Sequence, residues 1–279
     1  IVPRARGPVR SRPPDAVVDE VRALVEAGRR EVVLTGTHLG AYGRGEGFTL
    51  VGLLDRLRAV EGEFRVRLSS LEPMDVGDDL VEAVATWPRL CPHLHLPLQS
   101  GSDRVLEAMR RRYTARDFLR IVARARALCP DIGVTTDIMV GFPGETEEDF
   151  ARTLQVAREA AFSRIHVFRY SRRRGTAAAA MPRQVPEAAK RDRARRLSAL
   201  ARELSARFHS RLVGRVEEVV VEGDRDPATG LLAGLTGSYA WVLMEGPDSL
   251  MGRSVAARVT RARARYAEGK PVQESGAPD

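Results

Sequence analysis

The sequence predicts an α/β fold, either a parallel barrel or a doubly wound sheet, followed by a small all-β module. Three observations carry this. Short apolar, β-branched runs alternate with amphipathic stretches from residue 14 to about residue 170. Polar residues and glycines punctuate the C-terminal end of each run, the end at which such sheets hold ligands. Beyond Val213 the spacing changes to period two between glycine-rich turns, at the size of an OB-like module.

In order, a Pro/Arg-rich segment over 1–13 leads into a helix after Pro13-Pro14-Asp15, with Val17, Val18, Val21, Leu24 and Val25 on one face and Gly28 ending it. Val32–Gly36 is a strand that runs into a glycine-rich loop with Gly36, Gly40, Gly43, Gly45 and Gly47. A helix over Leu50–Val60, a strand over Arg65–Ser70 and a helix over Leu80–Trp87 follow. His93–Pro97 is a short strand, then come helices near 103–110 and 114–128. Val134–Val140 reads as a buried parallel strand, broken by Gly141-Phe-Pro-Gly144. Thr146 and Asp149 have the spacing of a capping box for the next helix. Arg164–Tyr170 is a further strand. Pro186–Leu212 is a long helix with Leu197, Leu200, Ala201, Leu204 and Phe208 as its apolar stripe. Its Lys190, Arg191, Arg193, Arg195, Arg196 and Arg202 read either as a solvated face or as a ridge that meets phosphates.

The loop Gly141–Gly144 lacks lysine, and Glu145, Glu147, Glu148 and Asp149 crowd the following helix start. That argues against a phosphate cradle and for a nucleoside or cationic ligand.

The net charge of +8 and pI near 10.2 favour a polyanionic partner, most simply nucleic acid. No apolar run approaches the roughly 20 residues that span a bilayer, so no membrane role is expected. The two cysteines, Cys91 and Cys129, lack metal-ligand spacing and read as small hydrophobes of a cytoplasmic protein. No metal-ligating set is expected. The start at Ile1-Val-Pro-Arg, without methionine, reads as a fragment of a longer protein.

Several segments together resemble the radical S-adenosylmethionine (SAM) methylthiotransferases: Ile1–Gly7, Ser11–Pro14, Leu34–Gly43, Leu68–Pro73, His93–Asp103, Thr135–Thr146 and Gly175-Thr176. The resemblance covers nearly the whole chain and is most similar to the branch acting on N6-threonylcarbamoyladenosine at tRNA position 37. It implies a partial radical SAM barrel over 1–185, lacking its first strand and cluster loop. A basic connecting helix over 186–211, a TRAM RNA-binding module over 212–266 and a disordered tail over 267–279 would follow. It implies SAM and [4Fe–4S] clusters as cofactors and the tRNA anticodon loop as partner. In the family a C-x-x-x-C-x-x-C loop directly precedes the position of Ile1, so the cluster ligands would lie upstream, and this chain alone would be inactive.

The resemblance assigns Gly36 and Thr37 to the methionine amino group, and Glu72 and Gln99 to ribose or methionine. Gly141, Phe142, Pro143 and Gly144 would lie along the adenine, and Ser100 and Asp137 share the rim, Asp137 with a structural alternative. No catalytic residue is assigned. Arg195, Arg202, Tyr239, Arg258, Arg261 and Arg263 are the expected RNA contacts, with Tyr239 stacking a base, and Trp241 is expected in the core. Arg4, Arg6, Arg10, Arg12, Arg169 and Arg172–Arg174 are candidates to grip the threonylcarbamoyl carboxylate or to meet tRNA phosphates. The alternatives are an inactive RNA-binding fragment or pseudoenzyme, or the sister activities on isopentenyl-adenosine 37 or a ribosomal protein aspartate. Oligomeric state is not legible.

Overall fold

The computed structural model describes residues 10–272. Five parallel strands form the first part: β1 (Glu31–Leu34), β2 (Arg65–Leu68), β3 (His93–His95), β4 (Gly133–Val140) and β5 (Arg164–Arg169). β1 pairs with β2, and β3, β4 and β5 pair in that order. Parallel bridges from Val66 to Leu90 and from Ser70 to His95 link the two groups into one curved partial barrel.

Helices fill the connections: α1 (Pro14–Glu26), α2 (Leu50–Arg58), α3 (Asp78–Thr86), α4 (Asp103–Ala108), α5 (Ala115–Leu128) and α6 (Glu147–Ala160). Their ends follow local chemistry. Pro14 opens α1, where its missing N–H costs nothing. Thr114 and Thr146 each close a capping box, with Asp117 and Asp149 respectively. Leu54, Leu57, Leu94, Leu96, Phe118, Phe150 and Phe162, all fully buried, fill the space between helices and sheet.

After a short α7 (Ala177–Ala180), α8 (Glu187–Ser210) packs along β5 and bridges both parts. Its Leu197, Leu200 and Leu204 join the first core, whereas Phe208 joins a second one. That second core fills a closed five-stranded barrel of β6 (Val216–Arg225), β7 (Leu232–Thr236), β8 (Trp241–Met244), β9 (Ser254–Ala262) and β10 (Ala267–Pro271), ordered β10-β8-β7-β6-β9.

Two expectations are corrected here. The expected tail begins too early, because Ala267–Pro271 is the strand that closes the barrel between β8 and β9 and removes both open edges. The remaining tail, 273–279, lies outside the described residues. Trp241 is not core: Ala240, Val242 and Met244 face inward, and strand alternation leaves Trp241 half-exposed.

Candidate active site

The sequence-predicted cofactor residues do not converge on one pocket. Gly36 and Thr37 line a cavity of about 290 Å³ between α1, β1 and the following loop. Gln99 and Phe142 line another, of about 270 Å³, with Met109, Met139 and Met181. Gln99 sits at φ +62°, and its main chain bonds to Asp137 and Met139, so the strand-end turn fixes its direction. At the rim of this cavity Arg111 donates to both oxygens of Glu72, at 2.9 and 3.0 Å. Ser100 is fully buried. Its hydroxyl accepts from the Ser102 N–H and faces Thr153, which makes it a scaffold residue rather than a ligand contact.

The turn after β4 is held from behind. Gly141 has φ +77°, and a Cβ there would lie 2.3 Å from Cγ of Lys190. Its N–H donates to Glu145, whose carboxylate accepts from Arg193 at 2.7 Å. Burial raises the Glu145 carboxyl, with Arg193 opposing. Pro143 is buried, Phe142 packs edge-to-face on Tyr170, and Gly144 donates its N–H to the Arg183 carbonyl while its own carbonyl accepts from the Arg104 guanidinium. Arg196 takes Glu147, and Glu148 pairs with Arg152.

The acidic run that was expected to suit a cationic ligand is therefore neutralised internally. From the expected basic ridge Arg193 and Arg196 take Glu145 and Glu147, whereas Lys190 pairs with Glu187 and Arg195 with Asp192 on their own helix. Charges at low exposure need partners, and the buried Glu145 and Arg193 are each other's.

Asp137 belongs to a third cavity, the barrel lumen, of about 490 Å³. There the structure gathers a group that sequence reasoning missed. His95, Asp137 and His166 bring one ligand atom each within 4.8 Å of one another. His95 Nε2 stands 3.5 Å from the Asp137 carboxylate, and its Nδ1 is paired with Thr135 Oγ1 at 2.8 Å. Burial and the nearby Arg164 lower the His166 pKa. The available signal was register: Asp137 is directly opposite His166 across β4 and β5. Ser69 and His93 line the same cavity, and Ser69 Oγ and His93 Nδ1 are buried without a hydrogen-bond partner among the described residues.

The floor of the lumen is made by the small barrel. Arg65 and Arg67 reach from β2 to the carbonyls of Glu218, Leu235, Thr236 and Gly237 and are tied together by Glu31. Burial opposes the Glu31 charge, but hydrogen bonds and charge from both arginines hold its carboxyl below the usual value. Tyr239 stacks on His93 at 4.4 Å with Arg67 over its ring. The expected base-stacking role of Tyr239 is corrected: its ring is committed to this interface, where the left-handed turn at φ +67° presents it.

Of the other expected RNA contacts, Arg202, Arg258, Arg261 and Arg263 are exposed, with Arg261 and Arg263 facing Glu268. Arg4 and Arg6 lie outside the described residues.

The residues present do not fit an iron–sulfur cluster. The chain has two cysteines, and Cys91 is buried with its thiol pushed up to about 11. Among the described residues no helix is long and apolar enough to cross a membrane.

Comparison with known proteins agrees with this architecture. The radical SAM superfamily matches residues 1–157, and the TRAM domain matches 210–272. Over 98% of this chain and 62% of its own length, a tRNA-2-methylthio-N(6)-dimethylallyladenosine synthase of Moorella thermoacetica is 42% identical. A threonylcarbamoyladenosine tRNA methylthiotransferase of Thermotoga maritima is 46% identical over 78% of this chain and 50% of its own. The chain thus spans about half to three-fifths of these relatives. Coproporphyrinogen III oxidase of Escherichia coli, described as a radical SAM enzyme, shares the fold with a TM-score of 0.53 at 15% identity, covering 82% of this chain and 59% of that one. The chain belongs to the radical SAM superfamily and carries a partial barrel joined to a C-terminal TRAM domain, and the curated relatives it resembles are tRNA-modifying methylthiolation enzymes.

Proposed function

We propose that the complete protein methylthiolates C2 of adenosine 37 in tRNA, in the cytoplasm, and that its substrate carries the N6-threonylcarbamoyl group. Superfamily membership implies SAM and [4Fe–4S] clusters, and SAM when bound supplies the methyl group and the 5′-deoxyadenosyl radical. The residues here have the parts of a binding rim. The thioether and aromatic walls beside Gln99 and Phe142 suit an adenine ring, and the Glu72–Arg111 pair at the rim offers polar atoms to a ribose or an amino acid. Gly36 and Thr37 offer main-chain and hydroxyl groups at the end of β1.

The observation that carries the choice of substrate is the polarity of the lumen. Ser69, His95, Asp137 and His166 line it, so hydroxyl, imidazole and carboxylate groups surround the space. A threonylcarbamoyl group brings polar groups that can pair with such a surface, whereas an isopentenyl group offers it no hydrogen bond. The competing substrate is favoured by one fact: the relative matching 98% of the chain is named for dimethylallyladenosine.

Expression of the full gene in a strain lacking its own enzyme, followed by nucleoside mass spectrometry of the tRNA, decides between them. The methylthio group is expected on threonylcarbamoyladenosine. Its appearance only on isopentenyl-adenosine, or only on a ribosomal protein, overturns the choice.

A further inference from the structure

We propose that Arg164, Arg202 and Arg265 form a clamp for one RNA backbone phosphate at the side of the barrel, so placed that the attached nucleotide points its base into the lumen. The proposal rests on the RNA substrate proposed above.

The three arginines come from the start of β5, the middle of α8 and the turn between β9 and β10, and they line one groove of about 400 Å³. They differ from most arginines of this protein. Arg65, Arg67, Arg193 and Arg196 all meet carboxylates. Among the described residues none of the three has a salt bridge or a side-chain hydrogen bond, and no carboxylate lines the groove. Ser198 and Ser205 add hydroxyls to the same wall. Three guanidinium groups gathered without a counter-charge repel one another, and an anion bound between them turns that repulsion into charge-assisted hydrogen bonds.

A phosphodiester is the anion that the surroundings favour. The exposed Arg258, Arg261 and Arg263 continue the basic surface along β9 and its end, as a strand of phosphates requires and a small free anion does not. The groove also has an inner end. His166 lines both this groove and the lumen. A nucleotide held by its phosphate here has its base directed past His166 towards Asp137 and His95, and a base taken out of its stack needs such an anchor.

The test uses the full 279-residue chain and a fluorescein-labelled anticodon stem-loop RNA, with anisotropy measured over a range of salt concentrations. The parent is expected to bind with a steep salt dependence. The triple variant Arg164→Ala, Arg202→Ala, Arg265→Ala is expected to bind about tenfold more weakly or worse, with a log–log salt slope lower by about one. Triple replacement by lysine should keep the slope while losing affinity, because charge remains but the fork does not.

Placing 2-aminopurine at the target adenine reads the second half of the proposal: fluorescence should rise on binding to the parent and not to the alanine variant. An alanine variant that melts like the parent and binds with unchanged affinity and slope overturns the clamp while leaving the RNA substrate standing. A parent that binds no RNA, or binds it independently of salt, removes the RNA substrate and the clamp with it.

Discussion

Replacing Arg67 with methionine tests how the two parts are joined. Arg67 is almost wholly buried. It donates to both oxygens of Glu31 at 2.7 and 2.9 Å, and to the carbonyls of Gly237 and Thr236, each at 2.9 Å. Methionine keeps much of the volume and removes every donor. Breaking a buried ion pair from one side costs about 3–5 kcal/mol, and each carbonyl left without a donor adds about 1 kcal/mol. Arg65 still holds Glu31 at 2.6 Å, so the expected total is about 3–5 kcal/mol.

Urea unfolding reads the effect, because the two tryptophans fall one to each part: Trp87 in the first core and Trp241 in β8. In the variant the two fluorescence transitions should separate. The pH dependence has a definite sign. The depressed Glu31 carboxyl contributes stability above its ordinary value of 4.5, and that contribution is lost as pH falls through its lowered folded value. The difference between parent and variant should therefore shrink below pH 4.5. A loss below about 1 kcal/mol would refute the argument.

Three further outcomes are expected. Tyr239→Ala should lower the melting temperature, by about 1–3 kcal/mol of lost stacking and cation–π contact, while the folded variant binds stem-loop RNA within about twofold of the parent; lost affinity at unchanged stability would restore the base-stacking role. Asp149 accepts from Ser102 and Thr146 and pairs with Arg104, which together hold its carboxyl below the usual range despite partial burial. Asp149→Asn should cost about 1–2 kcal/mol at neutral pH in urea unfolding, and the gap should narrow as pH falls below the ordinary value of 3.8; a gap that widens in acid contradicts the assignment. With two cysteines, one of them buried, the 279-residue chain should stay colourless after anaerobic treatment with iron and sulfide, and an absorbance with about four irons per chain would contradict that.

Local pattern alone determined a good deal of this protein. The alternation of runs placed all five parallel strands, the period along α8 picked out Leu197, Leu200 and Leu204, and the three-residue spacing from Thr146 to Asp149 announced a capping box that the structure contains. Each of these depends on neighbours within a turn or two, so the sequence displays them directly. The motif resemblance likewise led to the superfamily and the TRAM domain.

What the charged and aromatic residues do was decided only by the tertiary structure. Glu145 looked free to meet a cation until Arg193, 48 residues away, closed on it. Tyr239 looked ready for a base until folding brought Arg67 and Gly237, 170 residues apart, into hydrogen bonding and set the ring on His93. His95, Asp137 and His166 carry no recognisable spacing, because strand register rather than sequence distance brings them into the lumen. A charge or a ring takes its function from whatever low-dielectric surroundings and partners it meets, and in a parallel barrel those partners come from strands far apart in the chain.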